Sequence, residues 1–207
     1  MSRKNALLHP VSIVLISTWI GCASAEMKAP VKTFNHITTS PGLKQEKIAV
    51  YAVLPFEFRD ESIANYSERA KAADSAQVME AFETEMIRTG FAFVEREQVN
   101  RLLDEMKLQH SGFTDYKKTK EIGKMLNADA IITGQIVSFH ITPKNRINMQ
   151  VIIKAVSVST GLILWKIDST AYLENTYNDK LNFNMVLRSA MKDAIGIFIK
   201  EMKTQYR

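Results

Sequence analysis

The sequence predicts an α/β (α+β) domain in which helices pack against a mixed sheet that ends in a C-terminal β-meander. Three observations lead to this fold class. Residues 127–172 contain three apolar runs joined by short polar turns, residues 47–55 form a continuous apolar run, and the other segments carry apolar residues at helical spacing. The order of strand, helix, strand, helix, helix, three strands and helix is typical of a three-layer domain. A chain of 207 residues suits one such domain with appendages.

The N-terminus has the features of an export signal. Arg3 and Lys4 precede an apolar run at 11–20, which is too short to cross a bilayer as a helix. Residues 1–21 are therefore predicted to be a signal peptide. Its removal lowers the net charge from +5 to +3, because it takes away two basic residues and no acid. This mild charge does not indicate a strong polyanion partner.

The only cysteine of the chain lies directly after this apolar run. Cys22 follows Gly21, as in the lipobox of bacterial lipoproteins, so cleavage between them and lipidation of Cys22 are expected. Ordinary cleavage between Ala25 and Glu26, after an Ala-Ser-Ala motif, is the alternative. A single cysteine also excludes an internal disulfide.

The segment after the cysteine lacks a clear apolar period. Pro30, Pro41 and Gly42 interrupt it. Residues 22–46 are therefore predicted to be a lipidated N-terminus and flexible tether. The folded domain is expected at 47–207.

The domain is expected to begin with a central strand at 47–55, because this run is apolar at every position. A helix follows at 67–89, with Ser67 as its N-cap and Gly90 as the left-handed residue that ends it. A short strand and two further helices are expected at 91–94, 95–108 and 114–126.

The meander has the clearest pattern in the chain. Its strands are expected at 130–140, 147–156 and 162–170. The middle strand alternates, so that one set of side chains faces a core while Asn148, Gln150 and Lys154 point the other way. The core-facing set is Ile147, Met149, Val151, Ile153 and Ala155. A long helix capped by Asn178 or Asp179 completes the domain.

The sequence contains no motif of a familiar catalytic class, such as G-x-S-x-G, a P-loop, G-x-G-x-x-G or H-E-x-x-H. The four histidines and one cysteine are scattered, so no metal or cofactor is expected. The acidic side chains fall on helix faces, where solvation explains them better than an acid–base pair. The lysine run at 117–124 lacks the aromatic residues typical of nucleic-acid binding. The sequence therefore predicts a non-enzymatic protein with no nucleic-acid partner.

Five blocks of sequence resemble one known family when they are taken together. They are the strand at 48–56, the strand–helix block 93–108, Ser-Gly at 111–112, the approach to the meander at 122–134 and the glycine-closed turn at 156–164. In this order they resemble the CsgG-type lipoproteins, the family of the curli secretion channel, and their LpoB-type relatives. The resemblance implies an exported lipoprotein on the inner leaflet of the outer membrane. It also implies an anticodon-binding-like periplasmic module that acts through protein partners.

The length of one turn favours a branch of this family. The curli channel carries transmembrane hairpins inserted in the meander, and each needs about 20 residues or more. Only residues 141–146 separate the first two meander strands. An LpoB-like branch that lacks the transmembrane hairpins is therefore expected.

The expected function is the binding of envelope proteins in secretion or fibre assembly, or in cell-wall synthesis. The alternatives are a subunit of a curli-like oligomeric secretion channel and an activator of a penicillin-binding protein. An activator must reach through the cell wall, for which the predicted tether is short. Self-association is left open, and the lipid on Cys22 is expected to hold the protein at the membrane. The candidate partner-binding residues are Arg59, Asp60, Glu61, Lys144, Asn145 and Arg146.

Overall fold

The computed structural model describes residues 31–44, 46–59, 68–106, 116–141, 147–173 and 179–205. These residues form an open mixed sheet with four helices packed against it, which confirms the predicted fold class. The strands are β1 (Val31–Thr39), β2 (Val50–Val53), β3 (Glu57–Phe58), β4 (Ala92–Phe93), β5 (Ala130–Ile141), β6 (Ile147–Ser157) and β7 (Ile163–Leu173). The helices are α1 (Glu68–Arg88), α2 (Arg96–Glu105), α3 (Tyr116–Met125) and α4 (Asp179–Gln205).

The sheet has the order β1-β7-β6-β5-β2-β4, and the short strand β3 also pairs with β5. Within the run β1-β7-β6-β5 each strand is antiparallel to the next, whereas β2 runs parallel to both β5 and β4. The first predicted strand is therefore central. Tyr51 and Val53 are buried on one face of it, and Ala52 and Leu54 are buried on the other. Its continuous apolar sequence follows from this double burial.

Helices α1 and α4 cover one face of the sheet. The alternating residues of β6 predicted to face a core, from Met149 to Ala155, are buried beneath them. Trp165 on β7 is fully buried and its ring packs against Phe198 of α4, with centroids 4.9 Å apart. This is the main hydrophobic core of the described domain.

Helices α2 and α3 lie against the other face, but only beside β2 and the beginning of β5. Val99, Leu102 and Ile122 from these helices pack against Leu54 and Ile131 from the strands. The domain is therefore three-layered only in this half. The outer face of the remaining antiparallel strands has no helix of the described chain upon it.

The prediction of a flexible tether up to residue 46 is wrong for residues 31–44. Val31–Thr39 is strand β1, which pairs along its whole length with β7, and Pro41–Lys44 is a 3-10 turn. Leu43 in that turn is buried in the main core. The prolines that indicated a tether flank the strand and do not interrupt it. Proline is tolerated at the ends of an edge strand.

The helices begin and end close to their predicted bounds. Gly90 has a φ of 95°, so it ends α1 in the left-handed conformation as predicted. Three large apolar residues, which helical spacing predicts to be buried, are instead exposed: Ile87 at 58%, Met125 at 55% and Ile197 at 40%. Each lies at the margin of its helix's apolar face, where burial depends on the neighbouring element and not on the helical period.

Gly134 lies where a strand is closely approached by an aromatic ring. A Cβ atom placed there would lie 2.5 Å from ring carbons of Phe56. Phe56 is buried, and its ring contacts Phe82 of α1, with a centroid separation of 6.0 Å. The ring of Phe56, from the chain between β2 and β3, therefore packs over β5 at a position where β5 has no side chain.

Candidate partner-binding face

One side of the antiparallel strands is not covered by any helix that the structure describes. Strand alternation sends every second side chain of β1, β7, β6 and β5 away from α1 and α4. We call the surface formed by these side chains the open face. On β1 the open-face residues are exposed, and on the inner strands most are half-buried.

Strand register arranges the open face in four rows that run across the sheet. The row nearest the start of β1 contains Lys32, Tyr172 and Asn148. The next contains Phe34, Thr170, Gln150 and Ser138. The third contains His36, Asp168, Ile152, Gln135 and Glu57. The fourth contains Thr38, Lys166, Lys154 and Thr133.

The end of the open face nearest the start of β1 carries two exposed aromatic rings. Phe34 is 63% exposed and Tyr172 is 39% exposed. Their ring centroids are 5.8 Å apart with the planes at 81°, which is an edge-to-face contact. Lys32 lies beside Tyr172 on the neighbouring strand. We call Lys32, Phe34 and Tyr172 the aromatic end.

The opposite end of the open face carries two lysines directly across from each other. Lys154 on β6 is paired in register with Lys166 on β7. Their Cβ atoms are expected to lie roughly 4.5–5.5 Å apart, a spacing at which like charges repel. No described carboxylate forms an ion pair with either side chain. We call Lys154 and Lys166 the lysine pair.

The nearest acid on the open face is engaged elsewhere. Asp168 accepts a hydrogen bond from Nε2 of Gln150, at 3.0 Å to Oδ1. Gln150 lies on the side of Asp168 away from the lysine pair. No described carboxylate therefore neutralises the lysine pair by direct contact, and the pair can attract an acidic partner.

The structure places one of the predicted partner-binding residues at the margin of this face. Arg59 is exposed, and its Nε lies 3.4 Å from Oε2 of Glu57, which stands opposite Gln135 in register. The other candidates, Asp60, Glu61, Lys144, Asn145 and Arg146, lie outside the described residues. The same holds for the predicted processing positions Gly21, Cys22, Ala25 and Glu26.

The carboxylate of Glu46 is hydrogen-bonded to the β6–β7 turn, at the end of the sheet beyond the lysine pair. Glu46 accepts hydrogen bonds from the hydroxyl groups of Ser157, Ser159 and Thr160. Burial raises the pKa of Glu46, but the three hydrogen bonds together outweigh it and leave the pKa below its ordinary value of 4.5. Nζ of Lys120 donates to the carbonyl of Ser159 at 2.6 Å, which joins α3 to the same turn.

The described residues contain neither a candidate metal site nor a helix that could cross a membrane. No group of three His, Cys, Asp or Glu side chains among them is placed to hold a metal ion. His36 lies in β1 and not in a tether, opposite Asp168. None of the helices in the described part of the chain has the length and apolar character needed to cross a membrane.

Sequence reasoning identified Lys154 as outward-facing but missed the aromatic end. Tyr172 lies beyond the predicted end of the last meander strand, and Phe34 lies in the predicted tether. The sequence signal for β1 is a weak alternation, in which Val31, Thr33 and Ile37 alternate with Lys32 and His36. This signal was hidden because the outward set contains an aromatic residue and the inward set contains Asn35.

One family model matches the chain. The model described as the peptidoglycan-synthase activator LpoB matches residues 62–170, which extend from before α1 into β7. None of the curated proteins compared with the chain matches it.

Solved structures with a similar fold come from several bacteria. The lipoprotein GNA1162 of Neisseria meningitidis is 10% identical, with a TM-score of 0.51, over 75% of this chain and 99% of that one. A PelC dodecamer from Paraburkholderia phytofirmans is 13% identical, with a TM-score of 0.50, over 79% of this chain and 95% of that one. The LpoB C-terminal domain from Salmonella enterica is 14% identical, with a TM-score of 0.40, over 61% of this chain and 83% of that one. At these identities the first two likenesses concern the fold alone.

Proposed function

Because this chain belongs to the family of the peptidoglycan-synthase activator LpoB, we propose that it is a non-enzymatic lipoprotein that activates a peptidoglycan synthase. Its lipid is carried by Cys22, and it acts from the periplasmic face of the outer membrane. Of the two branches that the sequence resembles, the LpoB type is confirmed and the CsgG type is not. The family match therefore favours cell-wall synthesis over secretion or fibre assembly.

The open face is the surface that we assign to the synthase. The observation that carries this assignment is the lysine pair on this face, with which no described carboxylate forms an ion pair. Both lysines lie within the residues that the family model matches. An acidic surface of the partner is the complementary chemistry.

The segment between Cys22 and the start of β1 limits how far from the outer membrane the domain can meet its partner. Nine peptide links separate Cys22 from Val31, so their Cα atoms lie at most about 32 Å apart. Val31 and Ile147 both pair with Leu173, and Lys154 lies seven residues further along β6, which adds roughly 23 Å along the sheet. The synthase must therefore reach to within roughly 55 Å of the outer membrane for the lysine pair to touch it.

A stimulation assay tests this proposal. The mature lipidated protein in detergent is added to the purified peptidoglycan synthases of the same organism, and glycan polymerisation is followed. The native protein is expected to accelerate one synthase. The double variant K154E/K166E is expected to weaken binding by about tenfold or more, because it reverses two facing charges.

The matched control reverses a charge on the other side of the domain. Lys192 is exposed on α4, which covers the opposite face of the sheet. The variant K192E is expected to stimulate the synthase like the native protein. Failure of the native protein to bind or stimulate any synthase would contradict the proposed function, and equal effects of the two charge reversals would contradict the assigned face.

A further inference from the structure

The aromatic end occupies a particular place relative to the N-terminus of the domain. β1 starts at Val31, which pairs with Leu173 at the last position of β7. The next pair is Lys32 with Tyr172, and Phe34 is two residues further along. The three side chains of the aromatic end therefore lie on the outer face of the sheet, within about 10 Å along the strand of the residue where the chain enters the domain.

This position brings the aromatic end close to the anchor. With the lipid on Cys22, the start of β1 cannot be further than about 32 Å from the membrane surface. A surface confined so close to a bilayer meets lipid at a high effective concentration.

We propose that the aromatic end is a lipid-contacting surface that rests on the anionic leaflet to which the protein is anchored. This inference rests on the lipid anchor of the proposed function. Phenyl and phenol rings favour the boundary between headgroups and acyl chains, and lysine favours the phosphates. Phe34 and Tyr172 already share an edge-to-face contact, so one insertion would place both rings at the boundary.

Lys32 gives the aromatic end a positive charge, which favours anionic lipids. Lys154 and Lys166 lie at the opposite end of the open face. The acids of the same face are Asp168, which is bonded to Gln150, and Glu57, which is paired with Arg59. His36 stands opposite Asp168. A further acid among the described residues, Asp193, accepts a hydrogen bond from Thr33 on the helix-covered side of β1.

Contact at the aromatic end would orient the whole domain. The strands would rise from the membrane, because the aromatic end and the lysine pair lie at opposite ends of the same face. The lysine pair would then lie roughly 15–20 Å further into the periplasm, clear of the headgroups. The aromatic end would thus contact the lipid surface, and the lysine pair would contact the synthase.

Vesicle binding tests this inference without any protein partner. The mature chain carrying C22S, and therefore no lipid, is mixed with vesicles of phosphatidylethanolamine and phosphatidylglycerol and separated by flotation. Binding is expected, and the variant F34S/Y172S is expected to lose it by about tenfold or more, because two exposed rings supply most of the apolar contact. The control L162S removes another largely exposed apolar side chain, at the opposite end of β7, and is expected to bind normally.

A fluorescence measurement separates loss of binding from loss of folding. In the variant F34W of the C22S chain, the emission of the new tryptophan is expected to shift to shorter wavelength when vesicles are added. The other tryptophan of the mature chain, Trp165, is fully buried and does not report on the surface. No flotation of the C22S chain, or equal flotation of F34S/Y172S and L162S, would overturn the inference.

The synthase assay distinguishes this inference from the proposed function. In detergent, without a bilayer, F34S/Y172S is expected to stimulate the synthase like the native protein. If this variant loses stimulation while vesicles never bind the native chain, the aromatic end belongs to the protein interface and the lipid assignment is wrong. If vesicles bind but no synthase is stimulated, the proposed function fails and the lipid surface stands.

Discussion

The substitution Gly134→Ala provides a quantitative test of the packing that holds β3 against the sheet. The new Cβ would lie 2.5 Å from the ring of Phe56, more than 1 Å inside ordinary contact between carbon atoms. Phe56 is only 3% exposed and is backed by Phe82, so the ring has little room to withdraw. Overpacking of this kind costs about 1–3 kcal/mol, and we expect about 2–3 kcal/mol here. This must exceed the gain of about 0.5–1 kcal/mol that alanine brings over glycine inside a strand.

Urea unfolding followed by circular dichroism measures this loss of stability. The matched experiment repeats Gly134→Ala in a Phe56→Leu background, in which the smaller side chain leaves space for the added methyl group. The cost of Gly134→Ala is then expected to fall by about 1–2 kcal/mol. A cost below about 0.5 kcal/mol in the native background, or the same cost in both backgrounds, would refute the contact with Phe56 as its cause.

Three further predictions concern other parts of the fold. Gly123→Ala would place its Cβ 2.2 Å from Cγ2 of Val158 and is expected to cost about 1–3 kcal/mol in the same unfolding assay; a neutral result would place α3 further from β6 than described. Ile37→Asn is expected to cost about 1–2 kcal/mol because Ile37 packs against the core, whereas in a flexible tether it would cost nothing. Glu46→Gln is expected to cost about 0.5–1.5 kcal/mol near neutral pH, where the carboxylate is charged in both states. Because folding lowers the pKa of Glu46 from 4.5, this difference is expected to shrink as the pH falls below that value, and a difference that persists at acid pH would exclude the charge as its cause.

The sequence predicts the parts of this fold in which local pattern and tertiary environment agree. The alternation of β6 predicts a strand buried on one face, and the continuous apolar run of β2 predicts a strand buried on both. Gly90 predicts a left-handed backbone conformation that other residues avoid. β1 was missed because it is an edge strand, whose burial comes from pairing with β7 and packing against α4. Its own sequence alternates only weakly, with Asn35 facing inward and Phe34 facing outward.

The candidate site was harder to predict than the fold, because it depends on register. The residues of each row lie far apart in sequence, and no local motif brings Lys32 beside Tyr172 or Lys154 beside Lys166. Of the residues predicted from exposed charge, Arg59 lies at the margin of the face, and the other five lie outside the described residues. A surface made by alternation becomes visible once it is known which strands are neighbours and which face the helices cover.

The central claim is that the open face, and not the helix-covered side, meets a peptidoglycan synthase. Photo-cross-linking in living cells tests it most directly, with a photoreactive residue placed at Lys166 on the open face or at Lys192 on α4. We expect position 166 to form a cross-link to a peptidoglycan synthase and position 192 to form none. A cross-link to the synthase from position 192 alone, or cross-links from position 166 only to proteins unrelated to cell-wall synthesis, would contradict the claim.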